Sequence, residues 1–133
     1  MKIRFDRILD SGNAENERLL FTVLEPCNLG NYVIALAKKK PEHRISSHLE
    51  SVKWLGDADL KPQDIVVIYT HRKGEGIKNI QNKSGQTSFF LFWNLSNTLM
   101  ELADKSVVYF ETSWGTIDVS AVVNQASDSS EGD

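Results

Sequence analysis

The chain has 133 residues, a mass of 15.0 kDa and a formal charge of −3 from 15 basic and 18 acidic side chains. That length suits one domain with a genuine core, and 41% hydrophobic with 25% charged residues excludes a fibrous repeat or a wholly disordered chain. No apolar run approaches the ~20 residues of a membrane-spanning helix, and one cysteine, Cys27, excludes an internal disulfide framework or a multi-cysteine zinc site.

The start, Met1-Lys2-Ile3-Arg4-Phe5-Asp6-Arg7, is charged where a secretory leader is apolar, so the expected setting is cytoplasmic, away from any membrane. Asp128, Glu131 and Asp133 hold the acid excess, which leaves a neutral body with no general pull toward nucleic acid. Residues 126–133 read as an acidic, disordered tail and residues 1–125 as the folded domain.

Strand formers dominate: 10 Val, 9 Ile, 6 Thr and 12 aromatics stand against 7 Ala and 2 Met. In chain order, Lys2 to Asp6 alternates apolar and charged residues, and Arg18 to Leu24 places Leu19, Phe21 and Val23 on one face. Tyr32 to Ala37 is a third strand, closed by Lys38-Lys39-Lys40-Pro41. Glu42 to Glu50 is ambiguous, since Ile45 and Leu49 are helically spaced while its serines and histidines suit a loop. Ser51 to Leu55 is a short strand carrying Trp54.

Leu60-Lys61-Pro62-Gln63-Asp64 predicts a turn, with Pro62 at its second position. Ile65 to Thr70 and Ser88 to Trp93 are apolar on both faces, as strands covered from both sides would be. Thr98 and Glu101 fit a capping box and predict one short helical turn, with Leu99 and Leu102 toward the core. Ser106 to Thr112 and Thr116 to Val123 form a last pair, joined through Ser113-Trp114-Gly115 as a tight hairpin. About eight short strands without βαβ alternation imply an all-β fold, an antiparallel β-sandwich with at most one helical turn.

Three stretches resemble the lamin-tail domain, an immunoglobulin-like β-sandwich. Asn28-Leu29-Gly30-Asn31-Tyr32 is similar to that family's Leu-Ser-Gly-Trp corner, with Tyr32 for tryptophan. Leu60 to Ile68 is similar to its Leu-x-Pro-Gly-Asp/Glu turn before a buried strand, although Gln63 stands where glycine is usual. Ala103-Asp104 precedes Val107-Val108-Tyr109 much as a Gly-Asp pair precedes the family's penultimate strand. Trp54 to Trp93 further resembles small bacterial or phage proteins of this fold. The resemblance implies an immunoglobulin-like binding module and carries over no catalytic residue.

Catalytic and metal signatures are missing from the sequence, so no catalytic residue, metal ligand or cofactor is expected. His43 and His48 lie five apart, a spacing that suits neither one helix face nor one strand face for zinc. Cys27 reads as a partly buried structural thiol, with a histidine-activated hydrolase as the remote alternative. Asp57 and Asp59 suit a solvated turn better than a calcium loop, because no third acid follows at the required spacing.

His71 to Thr87 is a connection of seventeen residues, far longer than a hairpin needs. It carries Arg72, Lys73, Lys78 and Lys83 against Glu75, with Ile77 and Ile80 as its apolar residues. The expectation is a non-catalytic protein-binding module, a regulator or inhibitor, that docks an acidic partner through the 71–88 loop; a mobile extension without a partner is the plainer alternative. Trp114 at the hairpin tip is a further candidate anchor, whereas Trp54 and Trp93 suit the core. Lys38, Lys39, Lys40 and Arg44 form a second basic patch or a guarded strand end. The runner-up is a nucleic-acid-binding module using patches 38–44 and 72–83, although the loop has no aromatic residue for stacking. Homo-oligomer formation through a sheet edge is a further possibility.

Overall fold

Alternation along the chain produces a face that must be covered: Leu19, Phe21 and Val23 are each 1% exposed. The computed structural model describes residues 1–120, which form ten strands. These are β1 (Ile3–Leu9), β2 (Arg18–Val23), β3 (Cys27–Asn28), β4 (Tyr32–Lys40), β5 (Arg44–Trp54), β6 (Asp59–Leu60), β7 (Ile65–Tyr69), β8 (Lys78–Gln81), β9 (Thr87–Phe92) and β10 (Lys105–Glu111). Two 3-10 turns, Leu29–Asn31 and Leu99–Leu102, accompany them where one was expected.

Strands in the order β1-β2-β7-β9-β8 make one sheet, β10-β4-β5 make a second, and β3 pairs with β6 in a short ladder. Phe21, Val66, Ile68, Phe89 and Leu91 of the large sheet share one buried core with Tyr32, Ile34 and Leu36 of β4. Phe21 meets Tyr109 of β10 edge to face at 5.3 Å. Each such side chain contributes about 1.5–3 kcal/mol on burial, so the two apolar faces close on each other. The fold is an all-β sandwich.

Four local expectations change. The ambiguous Glu42 to Glu50 stretch is mostly strand: β5 runs eleven residues and absorbs the predicted strand at Trp54. Ile45 and Leu49, four apart, fit one face of a strand as well as one face of a helix, and register shifts interrupt the β4–β5 ladder. Lys38, Lys39 and Lys40 belong to β4 rather than ending it. The hairpin through Ser113-Trp114-Gly115 is not formed. β10 pairs with β4 instead, residues 116–120 carry no strand, and positions 121–123 of that predicted strand, like the tail 126–133, lie outside the described residues.

The fourth change concerns pairing. Every ladder is antiparallel except β7 with β9, which is parallel. A parallel neighbour cannot be reached by a hairpin, so the 71–87 connection crosses the end of the sheet, lays down β8, and returns as β9.

Polar groups hold both ends of β7. Before it, Gln63 has φ +75° after Pro62, and Asp64 N–H donates to Lys61 O at 3.1 Å, as in a type II turn. Asp64, 4% exposed, accepts from Lys61 N at 2.8 Å and from Thr87 N at 3.1 Å. After β7, the fully buried Glu17 accepts from Gly12 N and Leu99 N at 2.7 Å each and from the Thr70 hydroxyl at 2.5 Å. Burial alone raises the Glu17 pKa, but donors from Leu99, Thr70, Gly12 and Met100 outweigh it and hold the carboxyl below its ordinary value.

Two outcomes are expected. Gln63→Gly relieves a left-handed non-glycine residue and raises stability by about 0.5–1 kcal/mol in urea unfolding. Glu17→Gln leaves inward-facing donors opposed by an amide and costs about 2–4 kcal/mol. Because the folded Glu17 pKa is depressed, its contribution is complete above the unfolded value and is lost as pH falls through the folded one. Wild-type stability therefore declines on acidification below about pH 4.3, and the part of that decline due to Glu17 is absent in the variant.

Candidate binding surface

Side-chain alternation turns half of β7, β9 and β8 away from the core. Register sets Tyr69 beside Phe92, Val67 beside Phe90, Lys78 beside Phe90 and Ile80 beside Ser88 on that outer face. Tyr69 stacks with Phe92 at 5.7 Å and 15°, and with Phe90 at 6.4 Å and 23°. The Arg72 guanidinium lies 5.2 Å from the Tyr69 ring centroid and the Lys78 ammonium 5.6 Å from that of Phe92. These five side chains and Ile80, which is 65% exposed, line a shallow depression of about 210 Å³. Aromatic quadrupoles beneath two cations make the surface sticky to flat, apolar and anionic groups together.

The crossing segment is packed, not free. Gly74 lies against Phe92 so closely that a β-carbon there would stand 2.6 Å from ring atoms. Asn94 accepts from Gly74 N at 3.1 Å and donates to Gly74 O at 3.0 Å. Lys73 Nζ donates to Leu95 O at 2.6 Å, and His71 Nδ1 lies 2.8 Å from the same oxygen. Ile77 is half-buried against the core and touches Gly56, so of the two isoleucines only Ile80 is presented outward. Lys83 is exposed in the turn between β8 and β9. Of the sequence candidates, the structure gathers Arg72, Lys78 and Ile80, ties the exposed Lys73 to Leu95 O, and packs Ile77 against the core.

Tyr69, Phe90 and Phe92 were read from sequence only as doubly covered strand residues. Phe92 is indeed 7% exposed, but Tyr69 and Phe90 are half-exposed, because neighbouring side chains rather than a third layer cover this face. Their signal was present as aromatics at alternate positions of two apolar strands; which face they shared was not.

The other candidates lie elsewhere. Lys38, Lys40 and Arg44 are exposed at the β4–β5 end of the smaller sheet, while Lys39 Nζ donates to Ala103 O at 2.8 Å. Trp93 is core, 6% exposed, but Trp54 is 48% exposed and pairs edge to face with Trp114 rather than joining the interior. Between edge strands β1 and β10 the layers leave an apolar cleft of about 300 Å³, walled by Phe5, Phe21, Leu99, Leu102, Val107 and Tyr109.

Burial pushes the half-buried Cys27 thiol above its ordinary value, which disfavours the thiolate a nucleophile requires. Among the described residues no group of three or more His, Cys, Asp or Glu side chains is placed to hold a metal ion. No helix among them is long and apolar enough to cross a membrane. No family model matches the chain, and neither a curated protein nor a solved structure does.

Gly74→Ala places a methyl against the Phe92 ring in a packed contact. It is expected to cost about 1–3 kcal/mol and to alter the near-ultraviolet circular dichroism of the Tyr69–Phe92–Phe90 stack.

Proposed function

We propose that the chain is a non-catalytic binding module that docks an acidic protein surface on the outer face of β7, β9 and β8. Ile80 is the apolar anchor, and Arg72 and Lys78 supply the cationic contacts. One observation carries this reading: a row of stacked aromatic rings carrying two cations beside β8, a strand whose outer edge is unpaired within its sheet. Tyr and Arg are residue types that concentrate binding energy, and burying Ile80 contributes about 1.5–3 kcal/mol. The free backbone of β8 adds the option of strand pairing with the partner. A regulator or inhibitor would act by covering its target with this face. Kinship to lamin-tail domains, a cytoplasmic setting and self-association through a sheet edge belong to the same proposal.

A second reading, single-stranded nucleic acid, is favoured by Tyr69 and Phe90: they supply beside Arg72 and Lys78 the stacking surface that the 71–87 segment itself lacks. It ranks lower because Lys38, Lys40 and Arg44 belong to the other sheet.

Deleting Ile77 to Ser84 would remove β8, so the test uses substitutions. A photo-reactive residue at position 80 is expected to cross-link one protein that a residue at position 45, on the smaller sheet, does not reach. Arg72→Glu with Lys78→Glu should reduce that capture at least tenfold, equivalent to about 1.4 kcal/mol, with the protein still folded by circular dichroism. Equal capture from both positions, or by the charge-reversed protein, overturns the reading. Capture of RNA or DNA instead, with affinity falling steeply as salt rises, selects the second one.

A further inference from the structure

We propose that Trp54, Trp114 and Asp57 form a site for an N-methylated ammonium ion. The site does not rest on the binding face described above, with which it shares no lining residue.

The two indoles are held by one atom. Trp54 Nε1 donates to Gly30 O at 2.7 Å and Trp114 Nε1 donates to the same oxygen at 2.9 Å. This shared acceptor sets the rings edge to face, 5.4 Å apart at 69°. Gly30 allows the approach, because a β-carbon there would lie 2.8 Å from Asn28 Oδ1 and 3.4 Å from Trp54 Cζ2. With their N–H groups turned to Gly30 O, Trp54 and Trp114 remain 48% and 60% exposed.

Charge is supplied next to them. Asn28 Nδ2 donates to Asp57 Oδ1 at 2.8 Å and to Asp59 Oδ1 at 3.2 Å, while Asn28 Oδ1 accepts from Gly30 N at 2.7 Å. One asparagine thus ties the carboxylates to the carbonyl-bearing residue that orients both indoles. The concavity, about 330 Å³, is lined by Asn28, Gly30, Asn31, Trp54, Asp57 and Trp114, so among the described residues Asp57 is the one charged side chain on its wall.

These features select a ligand class. An N-methylated ammonium has no need of strong hydrogen-bond acceptors on every side, is weakly hydrated, and is attracted to the face of tryptophan more than to that of tyrosine or phenylalanine. A carboxylate alongside adds Coulomb attraction and repels anions. A metal ion would want more oxygen ligands than Asp57 and Asp59 provide. The open shape and exposed rings predict weak, millimolar-range binding.

The test follows the N-methyl proton resonance of tetramethylammonium and of choline as full-length protein is added, at constant ionic strength. The expected result is a saturable upfield shift, the ring-current signature of methyl groups over an indole face. The neutral isostere 3,3-dimethylbutan-1-ol should bind several-fold more weakly, since it lacks the cation–π and Coulomb components. Trp114→Ala should weaken choline binding about tenfold and Asp57→Asn severalfold. Circular dichroism with Trp114→Phe, which keeps a ring, separates loss of the site from loss of the fold. No saturable shift, equal binding of the neutral isostere, or unchanged binding by both Trp114→Ala and Asp57→Asn overturns the proposal.

Discussion

The parallel pairing of β7 with β9 governs this molecule. Parallel neighbours need a chain that leaves one end of the sheet and returns at the other, and here that return is built from β8 rather than from a helix. The crossing segment must therefore pass over the end of β9, where Gly74 lies on the Phe92 ring and Lys73 reaches Leu95 O. β8 becomes the outermost strand, and its Lys78 and Ile80 come to lie beside the aromatic row of β7 and β9. A segment that resembles a spare loop is thus a topological necessity, and it completes the surface it borders.

Two buried carboxylates hold the central strand of that arrangement. Asp64 joins the turn before β7 to the first residue of β9, and Glu17 joins Thr70, just after β7, to the β1–β2 connection and the 99–102 turn. Each buried carboxylate is satisfied by backbone N–H donors from separate segments, so removing either would leave a cluster of donors without its acceptor. Strand position is fixed by polar bonds at its two ends, while apolar burial supplies the attraction between layers.

The consequence for the proposed docking face is little conformational freedom to lose. Rings stacked on a sheet and cations seated over them are ordered in the free protein, which would lower the entropic cost of any association relative to a mobile arm. The Trp54–Trp114 corner follows the same logic on another scale. One carbonyl orients two indoles, and one asparagine orients two carboxylates around it.

Much was legible in the order of residues. Strand content, the one-sided burial of Leu19, Phe21 and Val23, the Pro62 turn and the helical turn after Thr98 follow from local propensity and period, which act over a few residues. Gln63, after Pro62, takes the positive φ that the third position of a type II turn requires. What only the tertiary structure decided depends on partners distant in sequence. Parallel or antiparallel neighbours leave the same alternation in a strand, so nothing in Ile65 to Tyr69 or Thr87 to Phe92 specified their relative direction. A spacing that suits strand and helix alike hid β5, and the convergence of Trp54 and Trp114 on Gly30 joins segments far apart in the chain. Sequence determined which residues must be buried and where the chain must turn; the pairing of strands decided which aromatic and charged side chains would meet, because that depends on register and direction across space rather than on neighbours along the chain.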